Sequence, residues 1–311
     1  MHTSYRHMPI ALVPVLAAVA ILGYMAGHSR PRAASGEKSR TIVAASVLLA
    51  YPSDWQPTAA APGIPGLSIA HQVVLAPDGD AAHAGLLIGQ LSGGEPSPLP
   101  RRFMARMRRL PDTEVVDLPE TQAYRYARLS IPGFDRMLSL YAIPNPGGNP
   151  TALVCYASAA FSAYMRTCEQ IVATITLVGQ PPSYGLTPEP GYARRLSASI
   201  GVLDGQRVAL RREMRPGAAP GTVQRLATRL AAGFANAAAS LALLEPPSAT
   251  AQAQATLSRS ILRTRDAYAA LAAAATAENP SRSAAARRQV YEAETSVNAV
   301  LESFALLGYR T

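Results

Sequence analysis

Two periodicities divide the chain. Between residues 41 and 179 the apolar positions come in short runs broken by Gly, Pro and Asp, the pattern of strands rather than long helices. The run TIVAASVLLAYPSDW reads as a strand entering a turn at Pro52, Ser53 and Asp54, with Trp55 beyond it. Leu67 to Leu75 and Ala84 to Leu91 read as two more strands. TEVVDL, QAYRYARLS, RMLSLYAIP and TALVCYAS follow, separated by IPGFD and NPGGNP, which carry turn chemistry. Leu99, Phe103, Met107 and Leu110 recur at helical spacing in PLPRRFMARMRRL, and a second short helix is expected from about Ala160. Ala173 to Val178 reads as a closing strand. The order of strands, helix, four strands, helix and strand predicts an α+β domain, an antiparallel sheet with packed helices.

Beyond the Pro-rich stretch 180–190 the strand signals nearly vanish, and Ala, Arg and Leu dominate. Four helical stretches are expected: 191–212, 222–244, 248–278, and one from residue 279 or 281 to about Leu307, ending at Gly308. Val223, Leu226, Leu230, Phe234 and Ala237 line one face of the second. Val290, Val297, Val300, Leu301 and Phe304 line one face of the fourth. Helices this long need tertiary cover, and their short connections predict an all-α antiparallel four-helix bundle over 191–311. The same stripes would also serve self-association. The compositional change predicts two independently folding units, 41–179 and 191–311.

Residues 1–8 form a short tail before Pro9 to Gly27, nineteen positions without a charge. That length suits a transmembrane anchor; a cleaved signal peptide and a buried soluble helix are the alternatives. Residues 28–40 then form a polar stalk. Arg30, Arg32, Lys38 and Arg40 follow the apolar segment and only Arg6 precedes it, so the positive-inside count would keep the large part in the cytoplasm.

The two cysteines argue the other way. Cys155 ends a predicted strand and Cys168 lies in the following helix, with no other cysteine in the chain. A disulfide clipping strand to helix is expected, and it would place residues 28–311 outside the reducing cytoplasm. Two buried free thiols are the alternative.

The formal net charge of +9 rests almost wholly on Arg, since Lys38 is the only Lys. Arg101, Arg102, Arg106, Arg108 and Arg109 are the densest basic patch. They read either as the solvated side of an amphipathic helix or as a contact for an anionic ligand or surface. The arginines elsewhere are dispersed among Ala and acids, which speaks against nucleic acid as a partner.

YPSDW at the start, the mixed strands, and CEQIVATITLVG at the close resemble the PsbP/Mog1-like domains of exported and membrane-anchored bacterial proteins. The resemblance covers about 140 residues and carries over Tyr51, Pro52 and Trp55 as the opening turn. It implies an extracytoplasmic adaptor or ligand-binding module, without a catalytic set.

Motifs that carry chemistry are scarce in the chain. No GxGxxG, GxxxxGK[ST] or GxSxG motif occurs, so no cofactor is expected. His71 and His83 would meet across a hairpin but lack further ligands, so no metal site is expected. Glu292 and Glu294 are two apart and face different sides of their helix. Trp55 reads as a core anchor, with a ligand platform as the alternative. The expected function is a non-enzymatic, membrane-tethered extracytoplasmic binding or scaffold protein, contacting a small ligand, an envelope protein or an anionic surface. Two rivals remain open: a structural spacer or oligomerisation module, and a hydrolase using turn carboxylates near Asp54, Asp78 or Asp135.

Overall fold

In the structure, a computed structural model that describes residues 39–92, 97–145, 148–179, 184–215, 217–277 and 279–310, the first apolar run is a hairpin rather than one strand. β1 (Ser39–Ala44) and β2 (Val47–Pro52) flank Ala45 and Ser46, both at positive φ, 47° and 68°. A two-residue hairpin turn needs that twist at its centre. Neither residue is the usual Gly, Asn or Asp, so the turn was hidden inside an apolar run. The tail, the candidate anchor at 9–27 and the stalk up to residue 38 lie outside the described residues; among those described, no helix is long and apolar enough to cross a membrane.

Among the described residues eight more strands follow: β3 (Trp55–Thr58), β4 (Ile69–Pro77), β5 (Ala84–Leu91), β6 (Glu114–Asp117), β7 (Gln122–Ile131), β8 (Phe134–Ile143), β9 (Thr151–Ala157) and β10 (Thr176–Leu177). Two helices interrupt them, α1 (Arg101–Met104) and α2 (Ala163–Val172). The large sheet has the order β3-β4-β5-β9-β8-β7-β6, and its pairings are antiparallel. The closing strand β10 pairs instead with β2, in a small sheet of order β1-β2-β10.

β9 lies at the centre of the large sheet, and all seven of its residues are buried. Continuous burial means that both sheet faces are covered. Leu153 and Cys155 face a core with Val47 and Leu49 of β2, Trp55, and Cys168, Ile171 and Val172 of α2. Ala152, Val154 and Tyr156 belong to the other core, together with Phe103, Tyr126 and the helices that follow. Gly85 and Gly89 of β5 are needed here. A Cβ at Gly85 would meet the Leu75 carbonyl at 2.8 Å, and one at Gly89 the Ala70 carbonyl at 2.7 Å. Cys155 and Cys168 are bonded, sulfur to sulfur at 2.05 Å, with Cα atoms 5.8 Å apart.

The expected helix over the arginine patch is a single turn. Leu99 and Phe103 are buried, as the spacing requires, but the helix ends at Met104. Pro100 caps it without a side-chain hydrogen bond, and its first turn holds Arg101 and Arg102 with no acid. Cations oppose the positive end of the helix dipole. Continued helix would also stack Arg102 on Arg106 and Arg106 on Arg109, like charges at destabilising spacings.

The last third is four packed helices: α3 (Pro190–Glu213), α4 (Pro220–Ala242), α5 (Ala251–Thr276) and α6 (Pro280–Leu306). Pro starts α3, α4 and α6, where a missing N–H costs nothing. Glu189 caps α3 by accepting from the N–H groups of Gly191 and Tyr192, and Asn279 caps α6 through Arg282 N–H at 2.9 Å. Consecutive helices pack on one another, and α3 and α6 meet through Arg207 and Glu294. Val223, Leu226, Leu230, Phe234 and Ala237 are all buried. Glu294 is buried while Glu292 is exposed.

The stretch 180–190 marks the change from strands to helices but does not divide the core. Residues Arg40–Thr311 form one compact unit, and one hydrophobic cluster runs from Val74 of β4 to Tyr309. Tyr126 of β7 donates its hydroxyl to the Leu306 carbonyl at 2.7 Å, and Thr113 donates to the same oxygen at 3.1 Å. Leu186 N–H donates to the Gln122 side-chain oxygen at 2.7 Å, and Glu189 N–H to the Tyr309 hydroxyl at 3.2 Å.

Candidate functional site

β6 is four residues long and pairs with β7 only from Gln122 to Arg125. β7 runs six residues further. At the Glu114 end of β6, where the strand begins opposite Arg125, a cleft of about 780 Å³ opens between the rest of β7 and the segment after α1. Its floor is the consecutive run Ala127 to Pro132, and its opposite wall runs from Met107 to Glu114. Small-molecule sites commonly have a volume of this order.

Four arginines line the cleft: Arg108, Arg109, Arg125 and Arg128. Arg125 is committed to the protein. It holds Glu114 at 2.8 Å and Glu169 at 2.8 Å, donates to the Tyr141 hydroxyl at 3.1 Å, and lies 5.8 Å above that ring. Burial alone would lower its pKa, but hydrogen bonds to Glu169 and Glu114 outweigh burial and raise it, so it stays cationic. Burial, then Glu169, lifts the Tyr141 phenol above its ordinary range, so it remains a neutral acceptor. These bonds tie α2, which carries Cys168, to β6 and β7.

Arg108, Arg109 and Arg128 are exposed, and among the described residues none has an ion-pair partner. Asp112 and Glu114 are the acids in the lining, and Glu114 already faces Arg125. Arg128 sits in a bulge: Tyr126 pairs with Leu140 but Leu129 with Leu138, one extra residue on β7. Its φ is 52°, a left-handed conformation that costs a non-glycine residue roughly 1–2 kcal/mol. Bulges bend a strand and re-aim the side chain they carry. The site thus combines unpaired positive charge, backbone strain and an apolar floor of Leu129 and Ile131.

Of the five arginines singled out by sequence, Arg108 and Arg109 line this cleft, whereas Arg101 and Arg102 lie on α1 and Arg106 in the turn after it. Arg125 and Arg128 belong to the site, and no sequence signal marked them. The bulge that places Arg128 has no composition signature, since its left-handed residue is not Gly or Asn. Trp55 is 1% exposed and packs edge-on to Tyr164 with centroids 6.3 Å apart, a core position rather than a platform. His71 and His83 do not meet: His71 lies beside the Gln90 end of β5, and His83 precedes Ala84 at the other end. Among the described residues no group of His, Cys, Asp and Glu could hold a metal ion. Asp54, Asp78 and Asp135 are exposed in turns or at strand starts; Asp78 N–H donates to the Asp54 carbonyl at 2.7 Å.

No protein-family model matches the chain, and no curated protein is similar to it. The solution structure of cyanobacterial PsbP (CyanoP) from Synechocystis sp. PCC 6803 is similar with a TM-score of 0.30 and 10% identity, over 48% of this chain and 96% of that one.

Proposed function

We propose that this chain is a non-enzymatic binding module, tethered to a membrane through residues 9–27 and exposed outside the cytoplasm, whose ligand is anionic and enters the cleft beside β7. The observation that carries the reading is the set Arg108, Arg109 and Arg128, turned to one cleft and, among the described residues, without carboxylate partners. Exposed arginines facing a concavity attract and orient anions. Strain held at Arg128 fits a residue kept for binding rather than for stability. The bonded pair Cys155 and Cys168 supports an oxidising compartment. The nineteen uncharged residues 9–27 support the tether.

Two measurements test the reading. Protease added to intact cells should degrade the part beyond residue 28; protection until lysis would reverse the topology. Calorimetric titration of the full chain in detergent with inorganic phosphate, an acidic peptide and its basic counterpart should give salt-sensitive binding of the anions alone. Absence of binding by every anion would remove the cleft as a ligand site.

A further inference from the structure

The floor of the cleft is not only a row of side chains. Ala127 to Pro132 line it without a gap, so the backbone edge of β7 lies along it. On its other side β7 remains paired with β8 as far as Ile131, opposite Phe134. On the cleft side the ladder with β6 stops at Arg125, opposite Glu114. Beyond that point, among the described residues, no strand pairs with this side of β7. An open edge of this kind is a template for another strand.

We propose that the cleft takes an extended acidic peptide segment of a partner protein, which pairs with β7 beyond Arg125 and continues the line of β6. This rests on the anionic-ligand reading above and specifies the ligand. Charge selects the occupant. Arg128 on the edge, with Arg108 and Arg109 opposite, presents three cations that have no ion-pair partner among the described residues. A second copy of this chain, at net charge +9, would be repelled, whereas a strand bearing Asp or Glu would be drawn in. Edge charges and bulges normally discourage strand addition. Here the bulge at Arg128 puts one extra residue on β7 between Tyr126 and Leu129, and the second register shift, between Leu129 and Ile131, puts its extra residues on β8; the cationic edge discriminates between partners rather than refusing all of them. Side chains alternate across a strand. Leu129 and Ile131 are buried, while Arg128 and Ser130 are exposed. The fitting sequence therefore alternates acidic residues, beside Arg128, with apolar or small ones.

The test uses the full chain in detergent and four probes: a capped peptide alternating Glu and Thr, the same peptide with alternate backbone nitrogens methylated, its Lys–Thr counterpart, and inorganic phosphate. The Glu–Thr peptide should bind and slow hydrogen exchange at amides of Ala127–Ile131. Methylation should weaken it at least about tenfold, because it removes the strand hydrogen bonds and leaves the charge. Arg128→Gln should weaken it by a similar factor. An Arg225→Gln variant, on an exposed face of α4, should bind as the unchanged chain does, which separates the cleft from net charge. Equal binding of the methylated peptide, or binding without protection at 127–131, would overturn strand addition. Binding of phosphate but not of the peptide would overturn it too and leave the anionic-ligand reading standing. Binding of neither anion would overturn both.

Discussion

The Tyr126 hydroxyl lies 2.7 Å from the Leu306 carbonyl oxygen, so a strand of the large sheet caps the last turn of the final helix. The same carbonyl accepts from Thr113, and Gly308, at φ 83°, turns the chain so that Tyr309 N–H reaches the Phe304 carbonyl at 2.9 Å. Helix ends leave carbonyls without helical partners, and here the sheet supplies the donors. Tyr126→Phe should cost about 1–2 kcal/mol. With Thr113→Val added, the Leu306 carbonyl loses both side-chain donors, and the cost should exceed the sum of the single changes. Urea unfolding of the three variants measures this; additive losses would mean that Leu306 finds another donor.

Because one hydrophobic cluster runs through both the strands and the helices, a protease site introduced within 180–183 should yield two fragments that stay together on gel filtration. Fragments that separate and each keep their circular dichroism would show two independently stable units.

Much of the fold was legible in the sequence. The β5 boundaries and the four long helices follow from period and punctuation, since nothing local competes with them. The pairing of Cys155 with Cys168 fits strand followed by helix. Elsewhere, short-range chemistry outweighed the pattern. Ala45 and Ser46 turn the chain at positive φ without a turn residue. The spacing of Leu99, Phe103 and Met107 is that of a helix which the arginine charges cut to one turn. The cleft was half visible: Arg108 and Arg109 stand out in a basic run, whereas Arg128 is brought to them by a bulge and by the late start of β6 at Glu114.

Glu294 is buried between Arg207, whose Nε is 3.4 Å away, Arg211 at 2.8 Å, and the Tyr268 hydroxyl at 2.7 Å. Removing one partner of a buried pair leaves a charge without compensation. Glu294→Leu should destabilise by about 3–5 kcal/mol, and Arg207→Met in the same chain should recover a large part of it. Thermal unfolding of the single and double variants decides; equal losses would mean that Arg207 is served by Asp204, 3.0 Å away, and does not depend on Glu294.

Burial pushes the Tyr192 phenol up to about 12 from an ordinary 10.0, and its hydroxyl donates to Gln254 at 2.7 Å. A phenol with a raised folded pKa contributes stability that is complete below pH 10 and lost as pH climbs toward 12. Denaturant midpoints should fall across that window, and by less in Tyr192→Phe. An identical fall in the variant would assign the alkaline loss to other groups.

The central claim is that the cleft beside β7 is the binding surface. The most direct test compares two triple variants of equal charge by titration with the same acidic peptide at low salt. Arg108, Arg109 and Arg128 are changed to Gln in one, and the exposed Arg225, Arg229 and Arg288 in the other. The first should lose at least about a hundredfold in affinity, or roughly 2.7 kcal/mol, and the second should keep it within about twofold. Equal losses in the two variants would contradict the claim, because binding would then follow net charge and not the cleft.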